Sequence, residues 1–155
     1  GVVSQADAQA TALWSLRESI TESIAAQTPY KNDISVKISE VPGFLADVDR
    51  VVSNHYPEFE VCWFGHIGDG NLHLNILRPD NISLEEFYRR CHEISPELFG
   101  LIRRRGGSIS AEHGVGLLKK DFLSFTRSKE EIEIMRKLKL VFDPNQIMNP
   151  GKILS

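Results

Sequence analysis

The pattern of this chain predicts an α+β fold of the ferredoxin-like, or split βαβ, kind: one antiparallel sheet with helices packed on one face. Three observations carry that expectation. Apolar residues recur at helical spacing in four segments, and they alternate with a period of two in three others. The segments follow one another as α, β, α, β, β, α, β, α, whose inner part is βαββαβ. No repeat or low-complexity tract interrupts the order, and 155 residues are enough for one domain with a core of its own.

Each element has its own signal. Leu13, Leu16, Ile20 and Ile24 make residues 8 to 26 an amphipathic helix, ended by Thr28 and Pro29. Ile34, Val36 and Ile38 alternate with Ser35, Lys37 and Ser39 as in a half-buried strand. After Pro42 and Gly43, a second helix is traced by Phe44, Leu45, Val48, Val51 and Val52. A strand from Phe59 to Gly65 follows, with Phe59, Val61 and Trp63 on one side and Cys62 and Phe64 on the other. A glycine-rich turn leads to a third strand, with Leu72, Leu74 and Ile76 on one face. Leu84, Phe87, Cys91, Ile94, Leu98 and Leu101 form the stripe of a long helix. Pro96 is expected to kink it, and Gly106–Gly107 to stop it. Ser108 to Glu112 reads as a short strand, and Ser128 with Glu131 as the capping box of a last helix through Phe142, closed by Asp143–Pro144.

Composition excludes several classes of function. A net charge of -3 with dispersed basic residues, apart from Arg103–Arg104–Arg105, gives no reason to expect a nucleic acid. No apolar run approaches the roughly 20 residues of a membrane span, and the first residues lack the basic and apolar regions of a signal peptide. Cys62 and Cys91 are isolated thiols without CxxC spacing, which points to a reducing compartment, the cytoplasm by default. Membrane association through other regions is left open. The chain opens directly into a helical pattern, as a piece of a longer polypeptide would.

Chemistry concentrates in FGHIGDGNLHLNI, residues 64 to 76. The period of two that puts Leu72, Leu74 and Ile76 on one face puts His73 and Asn75 on the other. His66 shares the parity of Cys62 and Phe64, so a hairpin through Gly68–Asp69–Gly70 can bring His66 beside His73. The glycines lead into a strand rather than a helix and lack GK[ST], which argues against a phosphate-cradling loop. By itself the H-x6-H spacing is a weak metal signal. The segment SISAEHGVG, residues 108 to 116, adds Glu112 and His113. Two neutral imidazoles and one carboxylate form a recurrent catalytic metal set that leaves coordination positions open.

HIGDGNLHLN, SISAEHGVG and the closing FDPNQIMNPGKIL together resemble the C-terminal domain of FAD-linked oxidases of the vanillyl-alcohol-oxidase type. The branch they resemble most is that of the D-lactate, glycolate and D-2-hydroxyglutarate dehydrogenases. The likeness runs from about Leu13 to the end, and it implies that residues 1–155 form a substrate- and metal-binding domain. The N-terminal FAD-binding domain of such enzymes would lie elsewhere in the same polypeptide. The resemblance further implies His66, His73 and Glu112 as ligands of a divalent metal, zinc in the hydroxyglutarate branch, and His113 as the catalytic base. Arg17 and Thr21 in LWSLRESIT, Lys31 in YKND, and Asn75 would bind substrate; Asn71 and Asn149 would approach the flavin. Where the family commonly reads D-V-S-V-P, this chain has Asp33–Ile34–Ser35–Val36–Lys37, so a lysine stands in place of the proline.

The implied activity is oxidation of a small 2-hydroxy acid to the 2-oxo acid, with hydride passing to FAD and then to an electron acceptor that the sequence does not name. A homodimer is left open. Two rivals use the same residues differently: a metal-dependent hydrolase that activates water, and a ferredoxin-like binding module with no chemistry.

Overall fold

The computed structural model describes residues 1–154. Helix α1 spans Asp7–Glu18 and is followed by a short α2, Ile20–Ser23, and a single 3-10 turn, Ala25–Gln27. One continuous helix over 8 to 26 was the expectation; serines explain the break. The Oγ atoms of Ser15 and Ser23 donate to the carbonyls of Ala12 and Ser19, competing with the helical ladder. Of the expected apolar stripe only Ile24 is buried, while Leu16 is 72% exposed. Thr28, at φ 44, then turns the chain into Pro29.

Strand β1 is Tyr30–Ser35, four residues ahead of the strand expected from the apolar alternation. The run Lys31–Asn32–Asp33 hid its start, because a polar stretch gives no hydrophobic period. The register Tyr30↔Ile76 to Ser35↔Asn71 nevertheless seats it fully. Helix α3, Val41–His55, connects to β2, Glu60–His66, which pairs with β3, Asn71–Leu77. The sheet order is β1-β3-β2, antiparallel throughout.

The fourth strand expected over Ser108 to Glu112 contracts to one antiparallel bridge, Ser35↔Ser108, outside β1. Its position preserves the ferredoxin-like order. The ladder ends there because the Ser108 hydroxyl turns back on Ser110, donating to its carbonyl at 2.8 Å. The N–H groups of Glu112 and His113 bond a side chain instead of a neighbouring strand.

Helix α4, Leu84–Arg104, is capped by Ser83 and carries Pro96 inside it without ending there. Phe44, Val48 and Val52 of α3, with Phe87, Ile94, Leu98, Phe99 and Ile102 of α4, close over Ile34, Leu72, Leu74 and Ile76. Each such side chain contributes about 1.5–3 kcal/mol on burial, which makes this layer the source of the fold's stability. Helix α5, Lys129–Phe142, begins with the expected capping box of Ser128 and Glu131, and none of its residues is buried. Among the described residues no helix is long and apolar enough to cross a membrane.

Candidate active site

The sheet face opposite α3 and α4 is polar, and the pairing register dictates its layout. Central strand β3 presents Asn71, His73 and Asn75. On one side β1 sets Lys31 against Asn75 and Asp33 against His73. On the other, β2 sets Cys62, Phe64 and His66 against Asn75, His73 and Asn71. The tight β2–β3 turn makes this pairing possible. Gly70, at φ +74, would place a Cβ only 2.0 Å from the Val36 carbonyl, so no other residue fits without moving the backbone. Asp69 braces the turn by accepting the Asn71 N–H at 3.0 Å.

The chain after the Ser108 bridge bends over this face and delivers Glu112 and His113. The buried Asp33 side chain anchors it: Oδ2 accepts the N–H of Glu112 at 2.7 Å and of His113 at 2.8 Å. Lys119 ties the return of the loop, donating from Nζ to the carbonyls of Ile109 at 2.6 Å and Asp33 at 3.1 Å. Arg17, near the end of α1, reaches the site with its guanidinium 5.2 Å from the Phe64 ring centre, a cation–π contact.

These groups line a cleft of about 460 Å³ that includes Arg17, Glu18, Thr21, Lys31, Asp33, Phe64, His66, His73, Asn75, Glu112 and His113. The ligating atoms of His66, His73 and Glu112 all lie within 4.8 Å of one another. His66 Nε2 is 3.7 Å from Glu112 Oε1. The rings of His73 and His113 sit 5.8 Å apart. Asn71, 3% exposed, donates its amide to Glu112. Asn75 is held by bonds from its amide nitrogen to the carbonyls of His73 and Cys62.

The electrostatics follow from burial and neighbours. Burial pushes the His73 imidazole below its ordinary pKa, against the pull of Asp33 and Glu112, so the ring is neutral at pH 7 and has a lone pair to offer. Burial alone would raise the Asp33 carboxyl, but its two backbone N–H donors, with His113 and Lys119 nearby, outweigh it and hold the group below the usual carboxylate range. The Lys119 ammonium is pushed down to about 8 by burial, with Asp33 opposing. Two imidazoles and a carboxylate converging on one point fit a divalent cation in both donor chemistry and spacing.

Residues 1–153 match the family described as FAD linked oxidases, C-terminal domain. The chain belongs to that family. It is 56% identical over 155 residues to a D-2-hydroxyglutarate dehydrogenase of Stutzerimonas stutzeri (strain A1501), covering all of this chain and 33% of that protein. It is 40% identical over 163 aligned residues to a putative mitochondrial D-lactate dehydrogenase of Schizosaccharomyces pombe, covering 98% of this chain and 30% of that protein. Identity to a mitochondrial D-2-hydroxyglutarate dehydrogenase of Danio rerio is 35% over 155 residues, 99% of this chain and 28% of that protein. The chain thus spans about a third of the length of these curated relatives.

Within this family domain the cleft gathers His66, His73, Glu112, His113, Arg17, Thr21, Lys31 and Asn75, all of which the motifs singled out. Asn71 meets the site through Glu112. Asn149 lies elsewhere, in a groove beside α5 with Phe142, Met148 and Lys152. Lys37, the departure from the family strand, faces a separate cleft with Arg103 and Arg127, away from the candidate site. Sequence reasoning missed Asp33, Phe64 and Lys119 as members of the site. Asp33 was within reach of the strand rule, being two residues from Lys31 and therefore on its face; the late strand start concealed it. Lys119 had no signal, since it acts across a loop.

Proposed function

We propose that this chain is the substrate- and cation-binding part of an FAD-dependent D-2-hydroxy-acid dehydrogenase, which converts a 2-hydroxy acid to the 2-oxo acid. The observation that carries the reading is the convergence of His66, His73 and Glu112 within 4.8 Å, in one cleft with Arg17, Lys31 and His113.

In this reading His66, His73 and Glu112 would hold a divalent cation, zinc in the branch that the motifs resemble. FAD, bound mainly by another part of the polypeptide and approached by Asn71 and Asn149, supplies the hydride acceptor, and the cation supplies positive charge that eases loss of the hydroxyl proton. The chain's own groups do the rest. Arg17 offers a planar fork to the substrate carboxylate, and Lys31 adds a point charge beside it. Phe64 holds the Arg17 guanidinium over its ring at 5.2 Å. Asn75 and Thr21 contribute polar contacts to the same pocket, and His113 accepts the hydroxyl proton, the usual task of an imidazole near neutral pH. Fixing carboxylate and hydroxyl together aims the substrate carbon in one direction. The two cations in the cleft suit an anionic substrate, and the names of the relatives make D-2-hydroxyglutarate the first to assay.

The test uses the full-length protein with D- and L-2-hydroxyglutarate and lactate and a dye acceptor. The expected result is flavin reduction by a D isomer. His73→Ala should lower kcat on the order of 100-fold or more, since it removes a direct ligand where even outer contacts count for 10–100-fold. Undiminished activity in that variant would overturn the reading.

A further inference from the structure

We propose that Asp33 is the positioning residue of this site: a single carboxylate that fixes both the Glu112–His113 segment and the orientation of His73. The inference rests on the cation-binding reading above and extends it to a residue that no motif assigns.

Asp33 is 3% exposed, an expensive place for a carboxylate unless its oxygens are employed. Oδ2 accepts two consecutive backbone N–H groups, those of Glu112 and His113. Because these bonds attach to the main chain at both residues, they set where the Glu112 carboxylate and the His113 ring emerge. Oδ1 is buried and has no hydrogen-bond partner. The nearest polar candidate across the register pair Asp33↔His73 is His73 Nδ1, 3.9 Å away. That is too long for a hydrogen bond, and the proposal takes the ring to turn toward Oδ1.

An orphaned buried acceptor beside a ring nitrogen favours the tautomer with hydrogen on Nδ1, which leaves Nε2 as the nitrogen with a free lone pair. Carboxylates behind ligand histidines set ring orientation and tautomer in this way. Asp33 thereby couples two ligands that arrive from different elements: His73 from β3 and Glu112 from the loop. Lys119 reinforces the arrangement by binding the Asp33 and Ile109 carbonyls from below. It thereby bridges the strand and the loop.

Asp33→Asn separates positioning from bulk structure. Its carbonyl oxygen can still accept both backbone N–H groups, while its NH2 now faces His73 and turns Nδ1 into an acceptor. In full-length protein stripped of metal by a chelator, calorimetric titration with Zn²⁺ should show about 10–100-fold weaker binding in Asp33→Asn than in wild type, at an unchanged unfolding midpoint. Wild-type affinity in Asp33→Asn, with His73→Ala losing binding, would overturn the role of Asp33 and leave the site reading intact. Wild-type affinity in both variants would overturn both. Should Asp33→Asn fail to fold, ¹⁵N spectra of histidine-labelled wild-type protein without metal decide the matter. The hydrogen is expected on Nδ1 of His73, and a hydrogen on Nε2 overturns the proposal.

Discussion

Replacing Lys119 by Met should change how stability depends on pH. The Lys119 amine sits against the carbonyls of Ile109 and Asp33, and burial lowers its pKa from 10.5 to about 8, with Asp33 opposing. The gap between 10.5 and about 8 corresponds to about 3 kcal/mol, a ceiling that residual access of water to the ammonium trims to about 1–2 kcal/mol. The sign follows from proton binding. Below pH 8 both folded and unfolded chains carry the proton, so the folded state bears the full cost of a buried charge. Between about 8 and 10.5 the folded chain has released the proton while the unfolded chain still holds it, so stability rises with pH. Relative to Lys119→Met, wild type should therefore gain about 1–2 kcal/mol across that window. Loss of the two carbonyl contacts adds an offset that does not vary with pH. Denaturant unfolding of both proteins at pH 7.5, 8.5, 9.5 and 10.5, followed by tryptophan fluorescence, measures the difference. A flat or falling difference would refute the argument that the ammonium is desolvated in the folded state.

Other expectations are simpler. Arg17→Lys keeps the charge but loses the two-pronged grip proposed for the substrate carboxylate and the guanidinium's cation–π contact with Phe64, so steady-state kinetics should show kcat/KM for the hydroxy acid falling about 10–100-fold, equivalent to ~1.4–2.7 kcal/mol. Phe87, fully buried between Phe59 and Tyr88, should cost about 3–5 kcal/mol when changed to Ala. Chemical denaturation reads that loss, and a cost below 1 kcal/mol would contradict the assigned core.

Much of the site was legible because sheet parity is rigid arithmetic. Once Leu72, Leu74 and Ile76 face a core, His73 and Asn75 must face away, and a short hairpin must return His66 beside them. The helices were legible for the same kind of reason, and the Ser128–Glu131 box marks the start of α5 in sequence as it does in space. Legibility failed where polar residues are buried. Asn32 and Asp33 are each 3% exposed, yet a charged or amide residue in sequence suggests solvent, so β1 was expected four residues late. The amphipathic pattern of α1 was real, but Leu13, Trp14 and Leu16 remain exposed. Periodicity reports which face a helix would bury and is silent on whether anything in this chain covers it.

By itself, then, the sequence determined the α+β class, the order of the elements from β1 to α4, the parity of every strand residue in the hairpin, and the chemical types available for the proposed cation and acid substrate. Only the tertiary structure decided that the Glu112–His113 loop closes over that hairpin. The reason is that the closure depends on contacts between residues far apart in the chain: the Asp33 carboxylate on two N–H groups of the loop, and the Lys119 amine on carbonyls of β1 and the loop. Local pattern carries information over a turn of helix or a pair of strand residues. Burial of a carboxylate and an ammonium on opposite sides of one loop is settled only when the whole chain has folded around them.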